Sequence, residues 1–171
     1  MPDRWVTMNQ PDWPGGPIRI LILDVDGTLT DGGMYYSAEG LALKRFDVKD
    51  GLGLVLLQQA GVAVALVSND QSPITVTRAR KLGIESVELG CEDKGRAVRQ
   101  LLGQRGLRPE QACYMGDDVT DLPALAEVGH SAAPADAVPE VLAAVEHVTS
   151  AGGGRGAVRE VSDLIRAALS R

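Results

Sequence analysis

The sequence predicts an α/β protein, a doubly wound parallel sheet with helices on both faces and one β-hairpin projecting from it. Three observations lead there. Short apolar runs alternate with stretches of helical periodicity along the chain. Val62-Ala63-Val64-Ala65-Leu66-Val67 is apolar at every position, as a strand covered on both sides must be. One segment, 34–48, breaks the alternation where a crossover helix is due.

The strands are expected at 18–24, 62–68, 86–89 and 111–115, with short late ones near 130–132 and 147–149. Helices fill the intervals. Asp50 and Gly61 bracket the first as N-cap and stop. Ser72, Pro73 and Gly83 bracket the second, with proline in the first helical turn. Asp93 opens a third, which runs to about Gly103 or Gly106. Thr120 opens a fourth that ends at Gly129, and helices over 137–145 and 157–169 complete the chain. The exceptional segment reads Met34-Tyr35-Tyr36-Ser37, a turn at Ala38-Glu39-Gly40, then Leu41-Ala42-Leu43-Lys44-Arg45-Phe46. Glycine in the turn marks a hairpin. It cannot bury both faces on its own domain, so it serves as a lid or a subunit contact.

The 171 residues suit one domain with a full core and are marginal for two. We divide them into a loose tail, 1–17, holding Pro2, Pro11, Pro14 and Pro17, and a single domain, 18–171. The tail lacks the charged-then-apolar layout of a signal peptide, no apolar run spans a membrane, and a cytosolic location is expected. A formal charge of −6 argues against nucleic-acid binding. Cys91 and Cys113 are too few and too separated for a zinc knuckle or disulfide framework and read as buried thiols. His130 and His147 read as structural or surface residues.

Ligands of open α/β sheets sit beyond the carboxyl ends of the strands. The first strand ends in Asp24-Val25-Asp26-Gly27-Thr28-Leu29-Thr30-Asp31-Gly32-Gly33. The second ends in Ser68-Asn69-Asp70, the 111–115 strand in Gly116-Asp117-Asp118 with Asp121 just beyond, and Lys94 starts the helix after 86–89. Taken singly, each has an ordinary explanation as a turn, a cap or a solvated first-turn residue. Taken together, aspartates, a hydroxyl and one lysine converge on one sheet edge. Oxygen donors without histidine or thiol suit Mg²⁺. A carboxylate beside such an ion can attack a phosphate ester. Asp24 is then the nucleophile and Asp26 the group that protonates the leaving oxygen and later activates water. Ser68 and nearby backbone N–H groups hold the phosphoryl oxygens, and Lys94 neutralises charge. Arg155 and Arg159 lie in Gly152-Gly153-Gly154-Arg155-Gly156-Ala157-Val158-Arg159-Glu160, either a glycine linker into a helix or a mobile loop whose cations meet an anionic ligand.

The four segments, in this order, resemble the motifs of the haloacid dehalogenase superfamily of phosphatases. More narrowly, the chain is similar to the 3-deoxy-D-manno-octulosonate 8-phosphate phosphatase family from about Ile18 to Leu169, through the hairpin, Phe46-Asp47-Val48-Lys49-Asp50-Gly51 and the GGGRGAVREV tail. The resemblance implies a Rossmann-like domain without a separate cap, and a homotetramer in which a neighbour's hairpin or tail helps to close each site. It implies Asp24, Asp26 (through its carbonyl) and Asp117 as Mg²⁺ ligands, with Asp118 and Asp121 in support. Ser68, Asn69 and Lys94 would hold phosphate. Asp47, Lys49, Asp50, Gly51 and Arg78 fall in stretches that line the sugar-acid pocket, and Arg155 is a further candidate for binding phosphate or substrate. The chain departs from the octulosonate pattern where Asn69-Asp70 replaces Gly-Arg and Val55 replaces arginine. Related phosphatases of nine-carbon keto-deoxy acids carry an acid and a lysine where this chain has Asp70 and Lys81. That pair tilts the expected substrate toward a nonulosonate 9-phosphate, unless Asp70 merely caps the helix containing Pro73. A general sugar phosphatase, a non-catalytic phosphoacceptor resembling a receiver domain, and an inactive structural subunit are the other readings.

Overall fold

A computed structural model describes residues 17–169, so nearly all of the expected N-terminal tail lies outside the described residues. Six parallel strands form one sheet in the order β5-β4-β1-β6-β7-β8. They are β1 (Ile20–Leu23), β4 (Ala63–Ser68), β5 (Ser86–Leu89), β6 (Ala112–Met115), β7 (His130–Ala133) and β8 (His147–Val148). The chain builds outward from β1 to β5 on one side, then returns to build β6 to β8 on the other. The reversal places the ends of β1 and β6 side by side, where such sheets leave a crevice.

The period-2 alternation of β1 assigns the two layers. Leu21 and Leu23 join a core with α1 (Val48–Gln59), α2 (Pro73–Lys81) and α6 (Ala157–Leu169), through Leu54, Leu57, Ala79, Val161 and Ile165. Ile20 and Ile22 join the opposite core with α3 (Lys94–Arg105), α4 (Leu122–Leu125) and α5 (Pro139–Leu142), through Val98, Leu102, Leu125 and Val141. All four β1 residues are buried. The sheet is thus covered on both sides, as its unbroken apolar strands predict.

The hairpin exists and is longer at its base than predicted. β2 (Thr30–Ser37) pairs antiparallel with β3 (Gly40–Phe46), and Thr30 faces Phe46 across the register. Positions 47 and 48 belong instead to the next helix. Asp47, rather than Asp50, is the N-cap of α1 and accepts from the Lys49 and Asp50 amides. The two late helices are short. Instead of running from Thr120 to Gly129, the segment forms a 3-10 turn, Val119–Asp121, and then α4, which ends at Leu125. Gly129 is pinned by donating its N–H to the Pro109 carbonyl, and a β-carbon there would lie 2.6 Å from Glu110 Cα, so the chain cannot stay helical to that point. The 137–145 helix shrinks to Pro139–Leu142. Cys91 and Cys113 are buried free thiols, as expected.

Candidate active site

Asp24 immediately follows β1 and keeps the phase of Ile20 and Ile22, toward the layer containing α3. Lys94, the first residue of α3, comes up from that layer. Its Nζ donates to Asp24 Oδ1 and to Asp121 Oδ1, each at 2.7 Å. Lys94 is only 2% exposed. Burial alone would discharge it, but the two carboxylates more than offset that and hold its pKa above the ordinary lysine value.

Asp121 is a support rather than a free ligand. Besides Lys94, its Oδ1 accepts from the Tyr114 hydroxyl at 2.6 Å. Its Oδ2 accepts from the Asp117 amide at 2.9 Å and the Asp118 amide at 3.2 Å. Those four bonds use its acceptor capacity and fix the loop that carries Asp117. Asp117 Oδ1 accepts from the Thr28 hydroxyl at 3.0 Å. Asp118 is exposed and its side chain accepts from the Val119 amide, capping the 3-10 turn. Gly27, at φ +90°, passes so close to Asp117 that a β-carbon would sit 2.0 Å from its Oδ2. Only glycine fits there.

Oxygens of Asp24, Asp117 and Asp121 lie within 4.8 Å of one another. Burial first, then the charge of Asp121, pushes Asp24 well above the usual carboxylate range despite Lys94. Asp117 is pushed up to about 6, chiefly by burial and further by Asp121. One lysine therefore leaves negative charge uncompensated, and the available donors are hard oxygens. A divalent cation fits both conditions, with Asp24 and Asp117 as the side chains free to hold it.

Asp26 does not share this cluster's cation. Lys44, from β3, lies 2.8 Å from each of its carboxylate oxygens and 2.6 Å from Asp70 Oδ2. The two aspartates of the first strand end thus have a lysine each. Ser68 is buried at the tip of β4, where its hydroxyl accepts from the Asp70 amide. Asn69 donates to the Cys91 carbonyl and ties that tip to the loop before α3.

Asp70 pairs with Lys44, whereas Lys81 is exposed in the last turn of α2, at the end remote from the strand tips. Arg78 donates to the Asp47 carbonyl at 3.1 Å and stacks over Phe46, while a β-carbon on Gly51 would run into its guanidinium. These residues make the joint between hairpin and helix. Asp50 is fully buried and accepts from the Gly156 amide at 3.2 Å and the Arg159 amide at 2.8 Å, so it anchors the start of α6. Lys49 is exposed in the first turn of α1. Arg155 lies 3.6 Å from Asp31. Its glycine tail is a packed segment: Gly154 donates to the Thr28 carbonyl, and a β-carbon on Gly153 would overlap the Gly27 carbonyl oxygen at 1.8 Å.

The comparisons with known proteins agree with this geometry. The family model for haloacid dehalogenase-like hydrolases matches residues 43–129. A 3-deoxy-D-manno-octulosonate 8-phosphate phosphatase KdsC of Haemophilus influenzae is 49% identical over 148 residues, 86% of this chain and 82% of that protein.

The chain belongs to the haloacid dehalogenase-like hydrolase family.

A Yersinia pestis relative of the same name is 45% identical over 86% of this chain and 79% of its own length. Among solved structures, the cobalt-bound Haemophilus influenzae phosphatase superposes with a TM-score of 0.87 at 48% identity, covering 90% of each chain. The Moraxella catarrhalis octulosonate 8-phosphate phosphatase, solved with magnesium, phosphate and KDO, gives 0.86 at 38% identity over 88% of this chain and 87% of that one. With relatives named as phosphatases over most of its length, this haloacid dehalogenase-like protein is an enzyme, a phosphatase.

Lys44, Tyr114 and Thr28 were not singled out from the sequence. Lys44 carried a usable signal, as a lysine following the apolar Leu41-Ala42-Leu43 of a hairpin strand. Tyr114 carried none beyond being the one hydroxyl in an otherwise apolar strand.

Proposed function

We propose that the protein is a Mg²⁺-dependent phosphomonoesterase of keto-deoxy sugar acid phosphates, with 3-deoxy-D-manno-octulosonate 8-phosphate as its substrate. The observation that carries the chemistry is the placement of Asp24: buried at the tip of β1, bonded to Lys94, and within 4.8 Å of Asp117 and Asp121 oxygens. Bound between Asp24 and Asp117, with the Asp26 carbonyl, Mg²⁺ would screen the repulsion between a phosphate ester and the carboxylates.

Asp24 attacks phosphorus, forming the new P–O bond as the bond to the sugar oxygen breaks. Asp26 gives that oxygen its proton. The resulting aspartyl phosphate is cleared by water, whose proton returns to Asp26. Ser68 and the adjacent backbone amides hold phosphoryl oxygens, and Lys94 stabilises their charge.

The eight-carbon substrate is supported by the names of the relatives at 41–49% identity. A nine-carbon acid draws its support from the residue types at 70 and 81; Lys81 lies exposed in the last turn of α2, away from Asp70. Asp70 is instead neutralised by Lys44, which also holds its pKa below the ordinary value against the effect of burial. We also propose a homo-oligomer, a tetramer by the family resemblance, assembled through the hairpin. Tyr35, Tyr36 and Leu43 there are exposed by 54%, 69% and 64%.

Phosphate release is measured with octulosonate 8-phosphate, nononate 9-phosphate and N-acetylneuraminate 9-phosphate, in Mg²⁺ and after EDTA. The expected result is a preference for the eight-carbon ester, lost with EDTA and restored by Mg²⁺, and absent from a folded Asp24→Asn variant. A flat profile would indicate a general sugar phosphatase. Full activity in Asp24→Asn would sink the mechanism.

A further inference from the structure

Strand β3 buries its lysine and exposes its leucine: Lys44 has no accessible side-chain surface, while Leu43 beside it is 64% exposed. Burying an ammonium costs several kcal/mol unless it is well paired, so Lys44 does not serve the hairpin's own stability. Its pairing lies outside the hairpin. It meets both oxygens of Asp26 at 2.8 Å and Asp70 at 2.6 Å. Asp70 is itself fixed, its amide donating to Ser68 Oγ and its carboxylate accepting from the Ser72 amide, each at 3.2 Å. The two bonds outweigh burial and keep Lys44 firmly charged. Arg45, next in the strand, donates to the Gly154 carbonyl at 2.7 Å and holds the hairpin's base against the tail. The Asp26 side chain has a rotatable carboxylate on a loop after β1. Within the described residues, Lys44 is the only side chain shown to hold it.

We propose that Lys44 is a positioning residue for the acid–base group, aiming Asp26 at the leaving oxygen, and that Asp70 is the anchor that sets Lys44's own position. The proposal rests on the reading of Asp26 as the general acid. It makes hairpin docking and acid placement a single event, because Lys44 leaves the site if β3 lifts. It also gives Asp70 a role in turnover in place of the substrate-sorting role expected from sequence. The Asp26–Lys44–Asp70 chain links three separate elements: the loop after β1, the hairpin, and the tip of β4.

A missing proton donor matters most for a poor leaving group. The test compares kcat/KM, which reports phosphoryl transfer to Asp24, for ethyl phosphate and 4-nitrophenyl phosphate. Loss of a general acid is expected to slow the alkyl ester roughly 10²-fold more than the aryl ester, whose leaving group departs without protonation. Asp26→Asn should show that contrast in full. Lys44→Met should show it at roughly tenfold or more, with Lys44→Arg recovering part of the loss. Equal losses on both esters in Lys44→Met would mark a merely structural role and overturn the proposal. Should Lys44→Met fail to fold, Asp70→Asn replaces it. That variant keeps the lysine and its Asp26 contact, and is expected to show the same contrast at a few-fold; equal losses there likewise overturn the inference. If Asp26→Asn itself shows no contrast, the general-acid reading fails first. If Asp26→Asn shows it and neither partner variant does, only the present inference fails.

Discussion

At Asp121 a single carboxylate organises the site without reserving an oxygen for a ligand. Of its four partners, the Tyr114 hydroxyl is the one that can be removed without touching charge or backbone. Burial, and then the neighbouring Asp121, keep that phenol protonated far above its usual range, so it acts only as a donor. Tyr114→Phe is expected to cost about 1–2 kcal/mol of stability and several-fold in phosphate release, with KM little changed. Thermal melts and initial rates would check this. Asp117 supplies a pH prediction. Its folded-state pKa of about 6 stands above its ordinary 3.8, so the metal-free folded protein binds the extra proton between those values. The Asp117 contribution to metal-free stability is therefore expected to fall as pH rises from about 4 through about 6, and Mg²⁺ should cancel that fall. Denaturant titrations of wild type and Asp117→Asn would show it, because the variant lacks this contribution. Asp24, Lys94 and Asp117 were legible in the sequence because each sits within a residue or two of a strand or helix end. Lys44 and Tyr114 were not. Lys44 lies within a hairpin strand and Tyr114 within an apolar one, so neither stands at a strand or helix end where ligand-binding residues of such sheets are sought.

For the elements, strands read better than helices. Short apolar runs bounded by turn residues mark strands by their length, and β4, β5 and β6 fall within a residue or so of expectation. The helix boundaries erred where two capping residues lay close together. Asp47 and Asp50 both offer a carboxylate near the start of α1, and sequence alone cannot tell which one turns back on its own helix. Asp47 does so, and Asp50 is used by α6 instead. Asp50→Ala would leave the Gly156 and Arg159 amides without their acceptor and is expected to destabilise the protein by about 1–3 kcal/mol. The loss should appear as faster hydrogen exchange in α6 before the rest of the sheet. If α6 kept its protection, Asp50 would not be its anchor. The hairpin was legible as an exception to the αβ alternation, while its true base at Thr30 was hidden inside the polar, glycine-rich run that precedes it.

On the scale of the molecule, the site is assembled by two layers and a hairpin, so binding at the centre should be felt throughout. If Mg²⁺ binds the folded state alone, saturating it to 100 times its Kd adds about 2.7 kcal/mol. The Asp24→Asn and Asp117→Asn variants should lose most of that increment in differential scanning fluorimetry. The hairpin's outer face gives the second prediction. Tyr35 and Leu43 are register partners and so point together, away from the face that carries Lys44. Leu43→Glu is expected to shift the protein toward monomer in light scattering coupled to gel filtration. An unchanged mass would remove this face from the assembly. The proposed assembly has no signal in the periodicity of the sequence; it is suggested by the family resemblance and by exposed apolar residues on a hairpin too thin to cover them.

The packing of Gly153 and Gly154 on the loop after β1 carries a further consequence, for the order in which the enzyme comes into being. That loop holds Asp26 and Gly27 and is among the first parts of the domain to be synthesised. Yet Thr28 receives its bond from Gly154, and the Gly27 carbonyl lies where any side chain at 153 would intrude. The surroundings of Asp24 and Asp26 thus take their final shape only after almost the whole domain has left the ribosome. A nascent chain that has released only β1, β4 and β5 therefore still lacks the two glycines that close over the loop carrying Asp26.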